Sequence, residues 1–170
     1  MNTLDMTATQ VMKNQVFNDI VNILGLQWGE YNHAENLKFS KIIITSDADY
    51  DGDKIAALLL VFAMHFPELF DQGLIYRVVT PIITATKGKD HRVYYTREEY
   101  DKYSKRLKGF VIKYLKGIGT QTNADTIQMM TNPHLIKFTK DNMAEIMLKK
   151  WFGKGEASTR KSMLKEDVED

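Results

Sequence analysis

Cysteine is absent from this sequence of 170 residues. Its absence excludes disulfide bonds, thiol catalysis and zinc sites built from thiolates, and it is compatible with a reducing compartment. Long apolar runs are absent too, because the longest extends only from Ile55 to Met64, whereas a membrane-spanning helix needs about 20 residues. No signal peptide is recognisable at the start. We therefore expect a cytoplasmic protein with no membrane partner.

Neither sign of charge dominates the sequence. The 23 Lys and Arg residues nearly balance the 22 Asp and Glu residues, which leaves a formal net charge of +1. A balanced total neither requires nor excludes a nucleic-acid partner, because a basic face can be local. With 44% hydrophobic and 26% charged residues, the chain has the composition of a globular protein and is long enough for one domain with a core.

Apolar segments with strand-like and helix-like patterns alternate along the chain. The continuous run Ile42 to Ile44 predicts a buried strand, and residues 55–66 predict a buried helix that ends before Pro67. Further strand-like segments lie at 74–79, 82–85, 92–95 and 110–114. This alternation predicts an α/β, Rossmann-like fold with a mainly parallel central sheet flanked by helices and a short helical C-terminal extension.

Other helices are predicted from spacing and from residues typical of helix ends. Apolar residues recur at helical spacing from Val16 to Leu24, and Gly25 is a typical helix stop. Thr96 and Glu99 form a capping box for a helix that extends to about Leu107. Two more helices are expected at 125–130 and 142–152, followed by a weakly patterned tail. We expect three parts, namely an N-terminal helical lead-in at 1–36, the α/β domain at 37–135, and a C-terminal helix with a charged tail at 136–170.

Three aspartates, each separated from the next by one residue, follow the first predicted strand and precede a glycine. These are Asp47, Asp49 and Asp51, with Gly52. Clustered carboxylates repel one another unless a cation lies between them, and Mg²⁺ is a hard cation that prefers oxygen ligands. In an extended segment, residues two apart lie on one side at roughly 6–7 Å. Asp47 and Asp49 can therefore face the same ion or adjacent ions, at the strand end where α/β sheets carry their sites.

A second loop with the sequence Lys-Gly-Ile-Gly-Thr, residues 116–120, also follows a predicted strand. It is too short for a P-loop, and by itself it is compatible with a tight turn before a helix. Beside the aspartates, we favour Lys116 near a DNA phosphate or an acidic residue, with Gly117 and Gly119 permitting close approach. Lys54 can neutralise the aspartates or contact DNA.

The aspartates are open to three other interpretations. A solvated turn with a helix cap is one, because Asp-Gly pairs are common in turns. The start of an EF-hand is another, but Leu58 stands where that loop has its bidentate Glu, and a strand precedes the loop. The third is the loop of haloacid-dehalogenase-like phosphatases, in which Asp51 would occupy the place of Thr or Val.

Several segments together resemble the TOPRIM domain of type IIA DNA topoisomerases. The aspartate segment resembles the Asp-x-Asp motif of that domain, and residues 114–120 resemble its Tyr-Lys-Gly-Leu-Gly-Thr loop. Further similar segments, in the family's order, lie at 20–26, 66–69, 73–75, 80–83, 94–100 and 160–161. The resemblance covers about residues 13–165 and identifies residues 37–135 as the TOPRIM domain.

The resemblance implies one part of an ATP-dependent enzyme that cleaves and religates double-stranded DNA. It implies that Asp47 and Asp49 bind Mg²⁺ beside the scissile phosphate and that Asp51 is an outer ligand or a loop anchor. It also implies a missing Glu ligand, a nucleophilic tyrosine that is not in this chain, and ATP bound by a different chain or domain. Some T4-like phages split the large subunit between the motif that carries this Glu and the Asp-x-Asp motif, and this chain resembles the C-terminal piece.

From this resemblance we expect a chain that is inactive alone. Its expected partners are double-stranded DNA, an ATPase-bearing piece that supplies the Glu, and a tyrosine-bearing cleavage subunit, all in the host cytoplasm if a phage encodes the chain. The alternatives are another metal-dependent TOPRIM enzyme, a nuclease or a primase, a phosphatase, or an interaction module that retains only the fold.

Overall fold

The structure is a computed structural model that describes residues 1–115, 117, 119 and 121–166. Its helices are α1 Ala8–Met12, α2 Gln15–Leu24, a 3-10 turn at Ala34–Asn36, α3 Tyr50–Ala63, α4 Glu68–Asp71, α5 Arg97–Ser104, α6 Asn123–Thr131, α7 Ala144–Phe152 and α8 Ala157–Glu166. Among these helices, none combines the length and the apolar character that a bilayer crossing requires.

The strands form two three-stranded sheets. They are β1 Ile42–Ile44, β2 Ile75–Val78, β3 Ile83–Lys87, β4 Asp90–Tyr94, β5 Val111–Tyr114 and β6 Leu135–Lys137. The sheets have the strand orders β1-β2-β6 and β4-β3-β5.

The predicted α/β class is confirmed, with small sheets flanked by helices. Where the sequence predicted one mainly parallel sheet, the structure has two sheets, and β3 pairs antiparallel with both β4 and β5. The reason is local, because a two-residue turn with Gly88 at φ 59° joins β3 directly to β4, and such a short connection allows only antiparallel pairing.

Two of the predicted helix boundaries are confirmed by the residues that cap them. Helix α2 begins after Asn14, whose side chain accepts hydrogen bonds from two backbone N–H groups, and it ends at Gly25 in the left-handed conformation. Helix α5 begins after Thr96, whose hydroxyl accepts the Glu99 N–H at 3.1 Å. It ends at Ser104 rather than near Leu107.

Helix α3 begins five residues earlier than the sequence predicted, at Tyr50 instead of Ile55. Asp49 explains the difference, because its carboxylate accepts the Gly52 N–H at 2.8 Å and its carbonyl accepts the Asp53 N–H, as a helix cap does. Four elements were not predicted individually, namely α1, α4, β6 and α8. Strand β6 has only three residues, and α8 carries charged residues with little apolar periodicity.

Contacts divide the chain into two compact units. The first contains Met1–Ile42, Leu58–Ile75 and the described residues from Lys137 onward. Its core is aromatic, with Phe17 stacked on Phe62 at 4.6 Å between ring centroids and Trp28 against Phe66 at the same separation.

The second unit contains the described residues of Ile43–Ala57 and Tyr76–Ile136. Its core lies on one face of the β4-β3-β5 sheet, where Ile83, Ala85 and Tyr94 pack with Leu107. The candidate ligands and DNA contacts that the structure describes all belong to this unit. The three-part division expected from the sequence stays a prediction.

Candidate metal centre

The aspartates lie where strand β1 passes into helix α3, in a segment that we call the acidic loop, residues 47–53. Ser46 is buried just before the loop, Asp47 is half-buried, and Asp49 and Asp51 are exposed. Gly52 is buried against the backbone of Asp47. A Cβ at Gly52 would lie 2.8 Å from the carbonyl carbon of Asp47 and 2.9 Å from its nitrogen. The tight path of the loop therefore requires glycine at this position.

Gly117 brings the second loop to the carboxylate of Asp47. A Cβ on Gly117 would lie 2.7 Å from Asp47 Cγ and 2.8 Å from each of its carboxylate oxygens. No side chain fits into that space, so the glycine permits the close approach that the sequence suggested. The two loops on which the sequence analysis depended are thus brought together in one compact unit.

Asp49 and Asp51 have different local roles. Asp49 caps α3 through one oxygen, Oδ1, and its other oxygen has no partner among the residues that the structure describes. Asp51 lies in the first turn of α3 together with Asp53, where negative charge is favoured by the helix dipole. Asp51 therefore belongs to the helix and not to the extended segment that the sequence predicted.

Arg77 in strand β2 holds the acidic loop, and sequence reasoning missed it. Its Nη1 lies 2.6 Å from Asp53 Oδ1. Its Nη2 donates to Ser46 Oγ at 3.1 Å and to the carbonyl oxygen of Asp47 at 3.4 Å. The available signal was one charged residue inside the apolar, strand-like segment 74–79, because a charge in such a position needs a partner.

The remaining candidate residues take varied positions. Lys54 is exposed on α3. Gly119 is exposed, and a Cβ there would meet no described atom within 4 Å. Lys116 lies outside the described residues, so its predicted DNA contact stays a prediction.

The acidic loop offers the hard oxygen donors that Mg²⁺ prefers. Asp47 and Asp49 would hold the ion, because the carboxylate of Asp47 lies against Gly117 and one oxygen of Asp49 has no partner in the described part of the chain. No group of three or more acidic or histidine side chains that could hold a metal occurs among the described residues. The carboxylate oxygens fit the ion, and among the residues that the structure describes the donor set is incomplete.

Asp125 anchors helix α6, which follows the second loop. Its side chain is only 2% exposed, and its Oδ1 lies 2.7 Å from His91 Nε2. Its Oδ2 accepts from both the N–H and the hydroxyl of Thr122 at 2.7 Å. On the other side of the imidazole ring, His91 Nδ1 lies 2.8 Å from Thr86 Oγ1. We call these four residues the α6 clamp.

The α6 clamp lowers the pKa of its carboxyl group, Asp125. Burial alone would raise the pKa of Asp125, but the hydrogen bonds from Thr122 and the neighbouring His91 outweigh burial and hold the pKa below its usual value. Asp125 is therefore ionised at neutral pH, and its two oxygens face Thr122 and His91 inside the protein.

Comparison with known proteins shows which proteins the chain resembles. The chain is 33% identical to a mitochondrial DNA topoisomerase 2 of Dictyostelium discoideum over 98% of its own length and 14% of the relative. It is 34% identical to human DNA topoisomerase 2-beta, over its whole length and 11% of that protein. The chain thus spans only a small part of the curated relatives that it matches.

A solved structure and a family model agree with these relatives. The DNA-binding, cleavage and re-ligation domain of Plasmodium falciparum topoisomerase II superimposes with a TM-score of 0.79 at 30% identity, over 95% of this chain and 23% of that one. The fold and the relatives therefore define a type IIA topoisomerase TOPRIM region. The family model described as the C-terminal associated domain of TOPRIM matches residues 78–170, more than half of the chain. The chain belongs to this family.

Proposed function

We propose that this chain supplies the Asp-x-Asp part of a Mg²⁺ site with which a type II DNA topoisomerase cleaves and religates double-stranded DNA. The observation that carries the proposal is that the Asp47 carboxylate lies against Gly117. This contact brings together the two motifs that resemble the family. The motifs lie far apart in the sequence, so local structure alone does not explain the contact. The homologous cleavage region of topoisomerase II supports the same assignment.

Each residue of the site has a proposed role. Asp47 and Asp49 bind the ion, and Asp51 is an outer ligand or holds the loop. Bound there, the ion would stabilise the charge that develops on the leaving 3′ oxygen of the DNA strand. Gly117, Gly119, Lys116 and Lys54 lie close to or contact the DNA backbone.

The incomplete donor set supports a site shared between polypeptides. The proposed partners are an ATPase-bearing piece that contributes a Glu ligand and a subunit that contributes the tyrosine nucleophile, with ATP bound outside this chain. Strand β1 occupies an end of the β1-β2-β6 order, and such a strand can accept a neighbour. The proposed setting is the cytoplasm, that of the host if a T4-like phage encodes the chain.

Reconstitution tests the proposal. The chain is mixed with the ATPase-bearing piece and the tyrosine-bearing subunit, and ATP-dependent relaxation of supercoiled plasmid is measured. Because a catalytic metal contributes several kcal/mol, we expect Asp47→Asn with Asp49→Asn to lower relaxation at least about a hundred-fold. The matched control is Glu30→Gln with Glu35→Gln, which also removes two exposed carboxylates and should leave relaxation unchanged.

Retained relaxation in the aspartate double variant would contradict the metal role. DNA nicking or primer synthesis by the isolated chain with Mg²⁺ would instead support a nuclease or primase. A protein–DNA adduct that forms only with all partners present would support the topoisomerase.

A further inference from the structure

Arg77 contacts three successive parts of the turn that carries the candidate ligands. Its guanidinium reaches Ser46 at the end of β1, the peptide carbonyl of Asp47, and Asp53 in the first turn of α3. All four residues belong to the same compact unit. A planar guanidinium with five N–H donors can bind several acceptors at once, which an ammonium group on a flexible stem does less well.

The turn carries a high density of negative charge. Four carboxylates lie within the seven residues of the acidic loop, at positions 47, 49, 51 and 53. Such a density of like charge destabilises the turn before any metal arrives. Arg77 offsets part of that charge from a fixed place, because it extends from a strand and not from the loop itself.

The two side chains of the Arg77–Asp53 ion pair differ in exposure. The Arg77 side chain is 21% exposed and that of Asp53 is 61% exposed. A mostly buried charge needs its hydrogen-bond partners, and Ser46 Oγ and the Asp47 carbonyl supply two of them. Arg77 also borders a cavity of about 240 Å³ with Ala48, Thr80 and Tyr95. Polar contacts to the acidic loop therefore contribute to the position of the guanidinium.

We propose that Arg77 is a positioning residue of the candidate metal centre. It holds the peptide of Asp47 so that the carboxylate meets the ion, and it keeps Asp53 out of the ligand set by pairing with it. This inference rests on the proposed function for its metal role, but the holding of the loop exists without any metal.

The direction in which cation affinity changes when Arg77 is removed distinguishes a positioning role from a purely electrostatic one. If Arg77 acted only as a nearby positive charge, its removal would strengthen the binding of a divalent cation, because like charges repel. If it positions Asp47, its removal weakens that binding in spite of the lost repulsion.

The test uses Arg77→Gln, Arg77→Lys and the control Arg92→Gln in the full chain. Arg92 pairs with Asp90 on the hairpin with both side chains about half exposed, so the control removes the same charge and an ion pair outside the loop. Hydrogen exchange of Gly52 and Asp53 is measured without metal, and Mn²⁺ affinity is measured by electron paramagnetic resonance. Circular dichroism verifies that each variant is folded.

We expect about ten-fold faster exchange at Gly52 and Asp53 in Arg77→Gln, since local opening sets that rate. We expect about ten-fold weaker Mn²⁺ binding, the effect typical of losing a residue that orients a metal ligand. Arg77→Lys should recover only part of both, and Arg92→Gln should change neither.

Other outcomes overturn the inference. Unchanged exchange in Arg77→Gln would show that the loop does not depend on this residue. Tighter or unchanged Mn²⁺ binding would remove the metal role, and full recovery by Arg77→Lys would show that a single ammonium group suffices and that the several contacts of the guanidinium are not what positions the loop. If exchange is faster in Arg77→Gln but the wild-type chain binds no Mn²⁺, the proposed metal site and the metal role of Arg77 are contradicted. The conclusion that Arg77 holds the loop would stand.

Discussion

The acidic loop and the α6 clamp belong to the same compact unit, but their carboxylates lie in opposite environments. In the α6 clamp, both oxygens of Asp125 face internal groups, Thr122 on one side and His91 on the other. In the acidic loop, Asp49 and Asp51 are exposed, and Asp49 uses one oxygen to cap a helix.

The difference separates a carboxylate that stabilises the fold from one that is available to a ligand. A buried carboxylate whose two oxygens both face internal polar groups contributes to stability and would lose that contribution if a ligand displaced those groups. An exposed carboxylate with an unused oxygen contributes little to stability and can bind a cation at small cost. The acidic loop should therefore respond to mutation in function, and the α6 clamp in stability.

Among single substitutions, the largest effect is expected from Gly117→Ala, which tests whether the acidic loop is a functional site. The added Cβ would lie 2.7 Å from Asp47 Cγ, so the carboxylate or the second loop must move. We expect about 10–100-fold weaker Mn²⁺ binding, and a similar loss of relaxation in the reconstituted enzyme, because displaced ligands cost that much. The thermal midpoint should change little.

Gly119→Ala is the matched control for this prediction. It adds the same methyl group two residues away, where no described atom lies within 4 Å of the new Cβ. Equal losses in both variants would show that general stiffening of the loop causes them, and the contact with Asp47 would then be unimportant.

The sequence was most informative where chemistry and pattern coincide. Strand β1, the stop of α2 at Gly25 and Thr96 at the start of α5 were predicted because each depends on neighbours in the chain. The burial predicted for β1 holds only for Ile44, since Ile43 is 38% exposed. The early start of α3 was not, because Asp49 is both a candidate ligand and a helix cap, and its charge pattern masked the capping signal.

Long-range partners were beyond local patterns. Nothing close to Arg77 in the sequence indicates Asp53, and nothing close to His91 indicates Asp125, since both pairs form only when distant elements pack. Likewise, glycine at 117 suggested a close approach, but only the fold shows that the group approached is the Asp47 carboxylate.

The second effect is expected from Asp125→Asn in the α6 clamp. An amide cannot match both His91 and Thr122, so we expect a loss of about 1–3 kcal/mol in the free energy of unfolding at neutral pH. The folded-state pKa of Asp125 lies below its usual value. Its contribution is therefore fully present above the unfolded pKa of about 3.9 and is lost as pH falls through the folded pKa.

Denaturant unfolding of both proteins between neutral and strongly acidic pH measures this difference. It should shrink below about pH 4, where the carboxyl group of the unfolded chain becomes protonated. The control is Asp101→Asn, which removes an exposed carboxylate paired with Arg97 on α5 and should cost about 0.5 kcal/mol or less. A difference that stays constant down to acidic pH would show that the charge of Asp125 is not what stabilises α6.

The smallest effect is expected from Lys54→Gln, which tests whether the acidic loop lies beside DNA. Lys54 is exposed on α3, one residue after Asp53. If it contacts one phosphate in the reconstituted enzyme, its loss should reduce the slope of log affinity against log salt by about one. Lys89→Gln, at the exposed turn between β3 and β4, is the control and should leave the slope unchanged. Equal slopes for the wild type and Lys54→Gln would place the phosphate contacts elsewhere, and Lys54 would then serve only to offset the charge of the aspartates.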